Sequence, residues 1–174
     1  LNFYNYLKTN GREKEFIVGE TSSFIYTTKI TAPAKVLIKS IKDRVMFSAI
    51  TDADTKKALS ILNKIYPQFV QAQNVWQTSF NNPSSTLHTI TTLLNMSRIE
   101  QFGSYKNSHF DITPSVARVI EKVDAERVEV AKHFYNNPMT VTEIMNTLYS
   151  LDYKNMYDVI MGIDAYKIQH SPAN

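Results

Sequence analysis

Residues 81–100 read NNPSSTLHTITTLLNMSRIE. Asn82 has the side chain of a helix N-cap, and Pro83 suits the first helical position, where its missing N–H costs nothing. Leu87, Ile90 and Leu94 then recur on one helical face, while His88, Thr92 and Asn95 follow at spacings of four and three on another. The stretch therefore opens a helix, and it separates two parts of the chain with different periodicities. A polar stripe on such a helix needs water or hydrogen-bond partners to face. One reading puts His88 in a cleft as a general acid/base, because an imidazole exchanges protons near neutral pH. The other is a half-exposed helix whose polar side faces solvent.

Upstream of this stretch the pattern is that of strands. EFIVGETSSFIYTT places β-branched and aromatic residues at two-residue spacing around Gly19, and AKVLIKSIK and DRVMFSAI repeat the alternation, with Asp43 and Arg44 as the expected turn between them. Thr51 and Asp54 resemble a capping box opening a helix through Ala58, Ile61, Leu62 and Ile65, which Pro67 ends. QFVQAQNV reads as one more strand. Downstream the pattern is helical. Thr113 and Pro114 repeat the start signal for a long helix, VARVIEKVDAERVEVAKHF, with Val116, Val119, Ile120, Val123, Val130 and Phe134 as its apolar face. Thr140 and Glu143 cap EIMNTLY, and KNMYDVIMGIDAYKI predicts a further helix. The expected fold class is α+β: a strand-rich unit over 1–80, followed by an all-α unit over 81–174.

Composition narrows the function. Of the 174 residues, 43% are hydrophobic and 20% charged, enough apolar material for a packed core. The net charge of +3 is spread without a basic run or stripe, which argues against nucleic acid. There is no cysteine, which excludes a disulfide framework and a thiolate zinc site and fits a reducing, cytoplasmic setting. No apolar run reaches the length of a membrane span. The four glycines, at 11, 19, 103 and 162, form no dinucleotide-binding GxGxxG. His109, His133 and His170 show no ligand spacing, so no metal site is expected. The opening LNFYNYLK and the ending QHSPAN are read as those of a fragment.

Asp124 could orient an imidazole, or simply pair with Arg127 one turn away. Arg118 could grip a substrate carboxylate through its planar fork, or lie on a solvated face. Asn81 and Asn82 could donate to a carbonyl, though capping suffices for Asn82, and Trp76 suits a core or a cleft wall.

Three segments together resemble the opine dehydrogenases of the octopine/nopaline type: IVGETSSFIYTTKI, NNPSSTLHTITTLLNMSRIE with its His before Leu-Leu-Asn, and VARVIEKVDAERVEVAKHF with its Asp-x-Glu-Arg run. Within that family the chain looks most similar to the metallophore-forming staphylopine dehydrogenase branch. The resemblance implies the tail of a Rossmann-like dinucleotide domain over 1–80 and a helical substrate and dimerisation domain over 81–174. It implies an NADPH- or NADH-dependent reductive condensation of an α-keto acid with the amine of an amino-acid-like substrate, NADPH being favoured. His88 would be the acid/base residue and Asp124 its partner, unless an acid upstream of Leu1 takes that part. Arg118, Thr92 and Asn95 would contact substrate, and a homodimer would form through the helical domain. Two other readings stand beside it. Ketopantoate reductase- or glycerol-3-phosphate dehydrogenase-like enzymes resemble sites built on a lysine in this helical region, where SSTLHTITTLLN has none. A helical dimerisation module without chemistry would instead pack His88 into an apolar interface.

Overall fold

The computed structural model describes residues 2–102 and 111–167; Gly103, His109 and His170 lie outside the described residues. A short helix, α1 (Asn2–Thr9), leads into five strands: β1 (Gly19–Thr21), β2 (Tyr26–Ala32), β3 (Lys35–Ile41), β4 (Val45–Ala49) and β5 (Phe69–Gln71). Helix α2 (Asp52–Leu62) lies between β4 and β5. The remainder is helical: α3 (Val75–Phe80), α4 (Pro83–Leu94), α5 (Met96–Phe102), α6 (Pro114–Ala131), α7 (Val141–Tyr149), α8 (Met156–Gly162) and α9 (Asp164–Lys167). The α+β reading of the sequence matches this architecture.

The strands form two sheets. In the order β1-β4-β5, β4 is central, antiparallel to β1 and parallel to β5. Val45, Phe47, Ser48 and Ala49 of β4 are all buried, as expected of a strand covered on both faces. The parallel β4-α2-β5 connection uses the predicted helix, whose Thr51 side chain accepts from the Asp54 N–H. Only Thr55 and Ala58 of α2 are buried, and Ile61 and Ile65 are exposed. The second sheet is the antiparallel hairpin β2–β3. Asp43 and Arg44 therefore do not fold β3 back on β4 as expected; they carry the chain from the hairpin to the other sheet. The hairpin turn lies at Pro33–Ala34, where Ala34 adopts φ 57°, a conformation usually left to glycine or asparagine.

Gly19 sits in β1 opposite Ala49. A Cβ built there would lie 2.5 Å from Phe47 Cζ and 3.0 Å from the Ser48 carbonyl oxygen. Gly19→Ala must therefore displace a buried ring, and it is expected to cost about 1–3 kcal/mol, the usual range for overpacking. Urea denaturation of the variant against wild type checks this, and a cost near zero would mean that Phe47 swings away freely.

The helical part is held by caps that the sequence announces. Asn82 accepts from the Ser84 N–H, Thr113 from the Val116 N–H, and Thr140 and Glu143 complete a reciprocal capping box. KNMYDVIMGIDAYKI breaks at Ile163 into α8 and α9. Along α4, Leu87 and Ile90 are buried but Leu94 is exposed. The long helix α6 departs from its expected face: it buries Ala117, Ile120, Asp124 and Ala131, whereas Val119, Val123 and Val130 are exposed. Buried residues from the β4–β5 sheet, Val45, Phe47 and Phe69, and from the helices, Leu87, Ile120, Met145, Met156 and Ile160, join in one apolar cluster. The side of that cluster facing hairpin β2–β3 bounds the cavity described next.

Candidate active site

The start of α4 sets the position of His88. The Asn82 cap and Pro83 fix the first turn, and the burial of Thr86, Leu87, Ile90 and Thr91 fixes the helix's rotation. Thr91 Oγ1 donates to the Leu87 carbonyl at 2.6 Å, satisfying its hydroxyl inside the helix. With that rotation set, Pro83, Ser84, Leu87 and His88 face a cavity of about 340 Å³. Its opposite walls come from α7 (Met145, Leu148, Tyr149), Ile160 of α8 and Tyr166 of α9. Hairpin residues Tyr26, Thr27, Thr28 and Lys39 roof it, and Ser23 and Lys42 stand where the hairpin joins the rest of the chain.

His88 exposes a large part of its surface toward this space. The walls still remove enough water to hold its pKa below the ordinary value, burial being the cause. Across the cavity, Lys42 Nζ donates to Ser23 Oγ at 2.5 Å. Burial pushes the Lys42 ammonium down to about 8. Lys39 is also lowered, by burial first and by Lys29 second, and its ammonium lies 6.0 Å from the centre of the Tyr166 ring. Tyr149 Oη and Thr27 Oγ1 share a hydrogen bond of 2.8 Å that ties α7 to the hairpin. The Tyr149 and Tyr166 rings meet edge-on at 6.2 Å. Tyr166 is raised well above the usual phenol range by burial and by Tyr149, so it stays a neutral hydroxyl. None of the described lining residues is Asp or Glu, so the cavity presents two lysines and a histidine and no negative charge.

The other residues singled out in the sequence lie elsewhere. Asp124 is 1% exposed. It accepts from Arg127 Nε and from the Val141 N–H, each at 2.7 Å, so it joins α6 to the first turn of α7. Arg127 also donates to the carbonyls of Phe80 at 3.0 Å and Met139 at 2.6 Å. Asn95 is the C-cap of α4 and donates to the carbonyls of Thr91 at 2.8 Å and Asp111 at 3.0 Å. Thr92 is half-buried beyond the cavity. Arg118 is exposed, donates to Ser115 at 2.8 Å and lines a separate hollow with Tyr157 and Asp158. Asn81 is 1% exposed and accepts from Tyr135 Oη at 3.0 Å. His133 sits at the end of α6 with its ring near the Glu129 and Val130 carbonyls. No group of three or more His, Cys, Asp or Glu among the described residues could hold a metal ion. Of the residues expected at the site, then, His88 alone lines this cavity. Lys42, Lys39, Tyr149 and Tyr166 do so without having been anticipated, because a strand alternation shows which face a lysine takes but not what lies across from it.

Residues 71–174 match the family described as NAD/NADP octopine/nopaline dehydrogenase, alpha-helical domain. The chain is 34% identical over 174 residues to an opine dehydrogenase of Arthrobacter sp. (strain 1C), covering all of this chain and 48% of that protein. It thus spans about half the length of that relative. The fold also resembles that of an octopine dehydrogenase solved with NADH and L-arginine: TM-score 0.59, 16% identity, 87% of this chain and 42% of that one. On the family match over most of its length, with the cavity-lining helix α4 inside the matched region, the chain belongs to the octopine/nopaline dehydrogenase family.

Proposed function

We propose that this chain supplies the acid–base side of an NAD(P)H-dependent opine dehydrogenase, which condenses an α-keto acid with the amine of an amino-acid-like substrate and reduces the product. The observation that carries the reading is His88, on the helix matched by the family, opening into a cavity large enough for a small substrate. In the domain division we propose, 1–80 belongs with a dinucleotide-binding domain and 81–174 is the helical substrate domain.

The described residues do not fit a dinucleotide. Gly19 lies inside a strand against Phe47, and Gly11 and Gly162 lie in no turn between a strand and a helix. A nicotinamide, when bound, supplies hydride to the C=N carbon; the remaining chemistry is what this chain's side chains do. His88 donates a hydrogen bond to the keto oxygen and so sharpens the electrophile. As the amine nitrogen bonds to that carbon, it gives up a proton to the imidazole, whose other N–H passes a proton to the keto oxygen and makes it a hydroxyl. The nitrogen's second proton reaches that hydroxyl through the same ring, and water leaves as the C=N bond forms. A pKa below the ordinary value keeps the resting ring mostly neutral at pH 7, able to accept at one nitrogen while donating at the other. This reading gives catalysis to His88 and a scaffolding part to Asp124. Arg118, Thr92 and Asn95 enter it only as outer candidates for substrate contact.

Two finer assignments rest on sequence resemblance: NADPH over NADH, and the metallophore-forming, staphylopine-like branch. A homodimer through the helical domain is supported by the exposed valines of α6, and sedimentation at micromolar concentration reads it. No helix of the described residues is long and apolar enough to cross a membrane, and the cysteine-free composition supports a cytoplasmic setting.

The test is nicotinamide oxidation by the complete enzyme, with pyruvate and a panel of amino acids and aminobutyrate-bearing amines. Oxidation should require both the keto acid and an amine. Its pH dependence should also carry the signature of His88. The scheme starts from the neutral ring, which takes up the amine's proton, so kcat/KM in the condensation direction should rise as pH rises through a pKa below the ordinary 6.5. The reverse reaction uses the neutral ring and should rise through the same pKa. Oxidation that ignores the amine would overturn the reading.

A further inference from the structure

The cavity contains a charge that the reaction scheme above does not use. Lys42 is 9% exposed. Its Nζ has no carboxylate partner among the described residues; its bond there is to the Ser23 hydroxyl. An ammonium carries three donors, and one hydroxyl uses one of them. A buried cation normally keeps an anion or gives up its charge. Here the fold instead holds the lysine rigidly at the edge of an open space. Its own backbone N–H is fixed to the Ile25 carbonyl at 2.8 Å, and the Asp43 N–H that follows is fixed to the Leu148 carbonyl of α7 at 2.9 Å. The chain is therefore pinned on both sides of the hairpin's base, and the side chain lies in the same cavity wall set as His88. Lys39 adds a second positive charge to that wall.

We propose that Lys42, with Ser23 beside it, is the anchor for a substrate carboxylate, seating the carbon next to that carboxylate against His88. The inference rests on the opine dehydrogenase reading for the identity of the substrate, but not for the anion. In an α-keto acid the carbonyl carbon is bonded directly to the carboxylate, so an ammonium gripping one end fixes the reacting atom. The amine substrate is also a carboxylate, and the chemistry that recognises the two is the same. Binding a carboxylate also satisfies the donors that Ser23 leaves over, and it compensates a charge whose burial now depresses its pKa to about 8.

The experiment compares charged and neutral substrates in the complete enzyme. In wild type, pyruvate is set against methyl pyruvate, and the amino acid against its amide. The pair whose kcat/KM differs by about 30-fold, the scale of a hydrogen bond to a charged group, identifies which carboxylate Lys42 holds. Lys42→Met, close to lysine in length and free of charge, should lose that discrimination through KM and leave the preference for the other substrate pair unchanged. Lys42→Arg should recover part of it, which a purely structural role would not predict. No discrimination in either wild-type pair would overturn the proposal, and so would full discrimination in a folded Lys42→Met. A separate readout does not depend on turnover: binding of pyruvate and of oxalate by calorimetry to wild type, Lys42→Met and His88→Ala. If no amine supports oxidation yet both anions bind and the Lys42→Met variant loses them, the function reading fails while the anion site stands. If oxidation proceeds but anion binding is the same in Lys42→Met, the anchor fails while the function reading stands.

Discussion

His88→Ala is expected to lower kcat for amine-dependent nicotinamide oxidation by about 10²–10⁴-fold, the usual contribution of a positioned general acid/base. The fold should survive, because His88 projects from α4 into the cavity while Leu87 and Ile90 hold the helix to the core. Surface substitutions away from core and caps usually change stability by no more than about 0.5 kcal/mol, and the melting temperature should barely move. That separation distinguishes the proposed chemistry from a packing role. A dimerisation helix without chemistry would bury His88 against apolar partners, and its loss would reduce stability first. The cavity here has Lys42, Lys39, Tyr149 and Tyr166 facing that helix turn, a polar and positively charged surrounding with no match to such an interface. Kinetics and thermal melting on the same preparation check the prediction, and a folded variant with near-normal turnover would remove His88 from the chemistry.

The largest expected effect on stability lies at Arg127. Its side chain is 13% exposed, and its guanidinium binds Asp124, the Phe80 carbonyl and the Met139 carbonyl together. One side chain thereby connects α6, the end of α3 and the segment before α7. Arg127→Ala would leave Asp124 buried with the Val141 N–H as its remaining partner in this network, and would strip two carbonyls of their donor. Removing one member of a buried pair typically costs about 3–5 kcal/mol. Lysine at this position keeps the charge but lacks the planar fork, so Arg127→Lys should fall between the two. Urea denaturation measures all three proteins, and a loss below about 1 kcal/mol for Arg127→Ala would mean that water compensates Asp124. The same network explains why Asp124 is a poor site for proton traffic: both of its oxygens are already engaged at 2.7 Å.

Local rules were enough for the helix starts. Asn82-Pro83, Thr113-Pro114 and Thr140 with Glu143 each satisfy their own backbone within one turn, so sequence neighbours decide them and the structure shows all three. The hairpin turn was harder to read, because Pro33-Ala34 reaches a positive φ without glycine or asparagine. Asp43-Arg44 looks more like a turn, yet tertiary pairing sends β4 to β1 and β5. Helix α3 is six residues long and sits in a stretch, 75–80, whose only strong signal is the Asn74 cap.

On α6 the hydrophobic pattern pointed to Val119, Val123 and Val130, but the core took the stripe containing Asp124. A buried ion pair with three backbone partners can occupy a core position that periodicity reserves for apolar side chains. The site divides in the same way. His88 was visible because one helix, α4, carries both its cap and its polar neighbours. Lys42 was not, since it joins residues of α4 only in lining one cavity, and no spacing along the chain encodes that meeting.

The measurement that bears most directly on the central claim is the mass of the product. Pyruvate, an accepted amine and reduced nicotinamide are incubated with the complete enzyme and with His88→Ala, and the products are separated and weighed. The account predicts a secondary amine whose mass equals amine plus pyruvate, less one water and plus two hydrogens, formed by wild type and nearly absent with the variant. A hydroxy acid formed without incorporation of the amine, or the secondary amine formed equally fast by the variant, would contradict it.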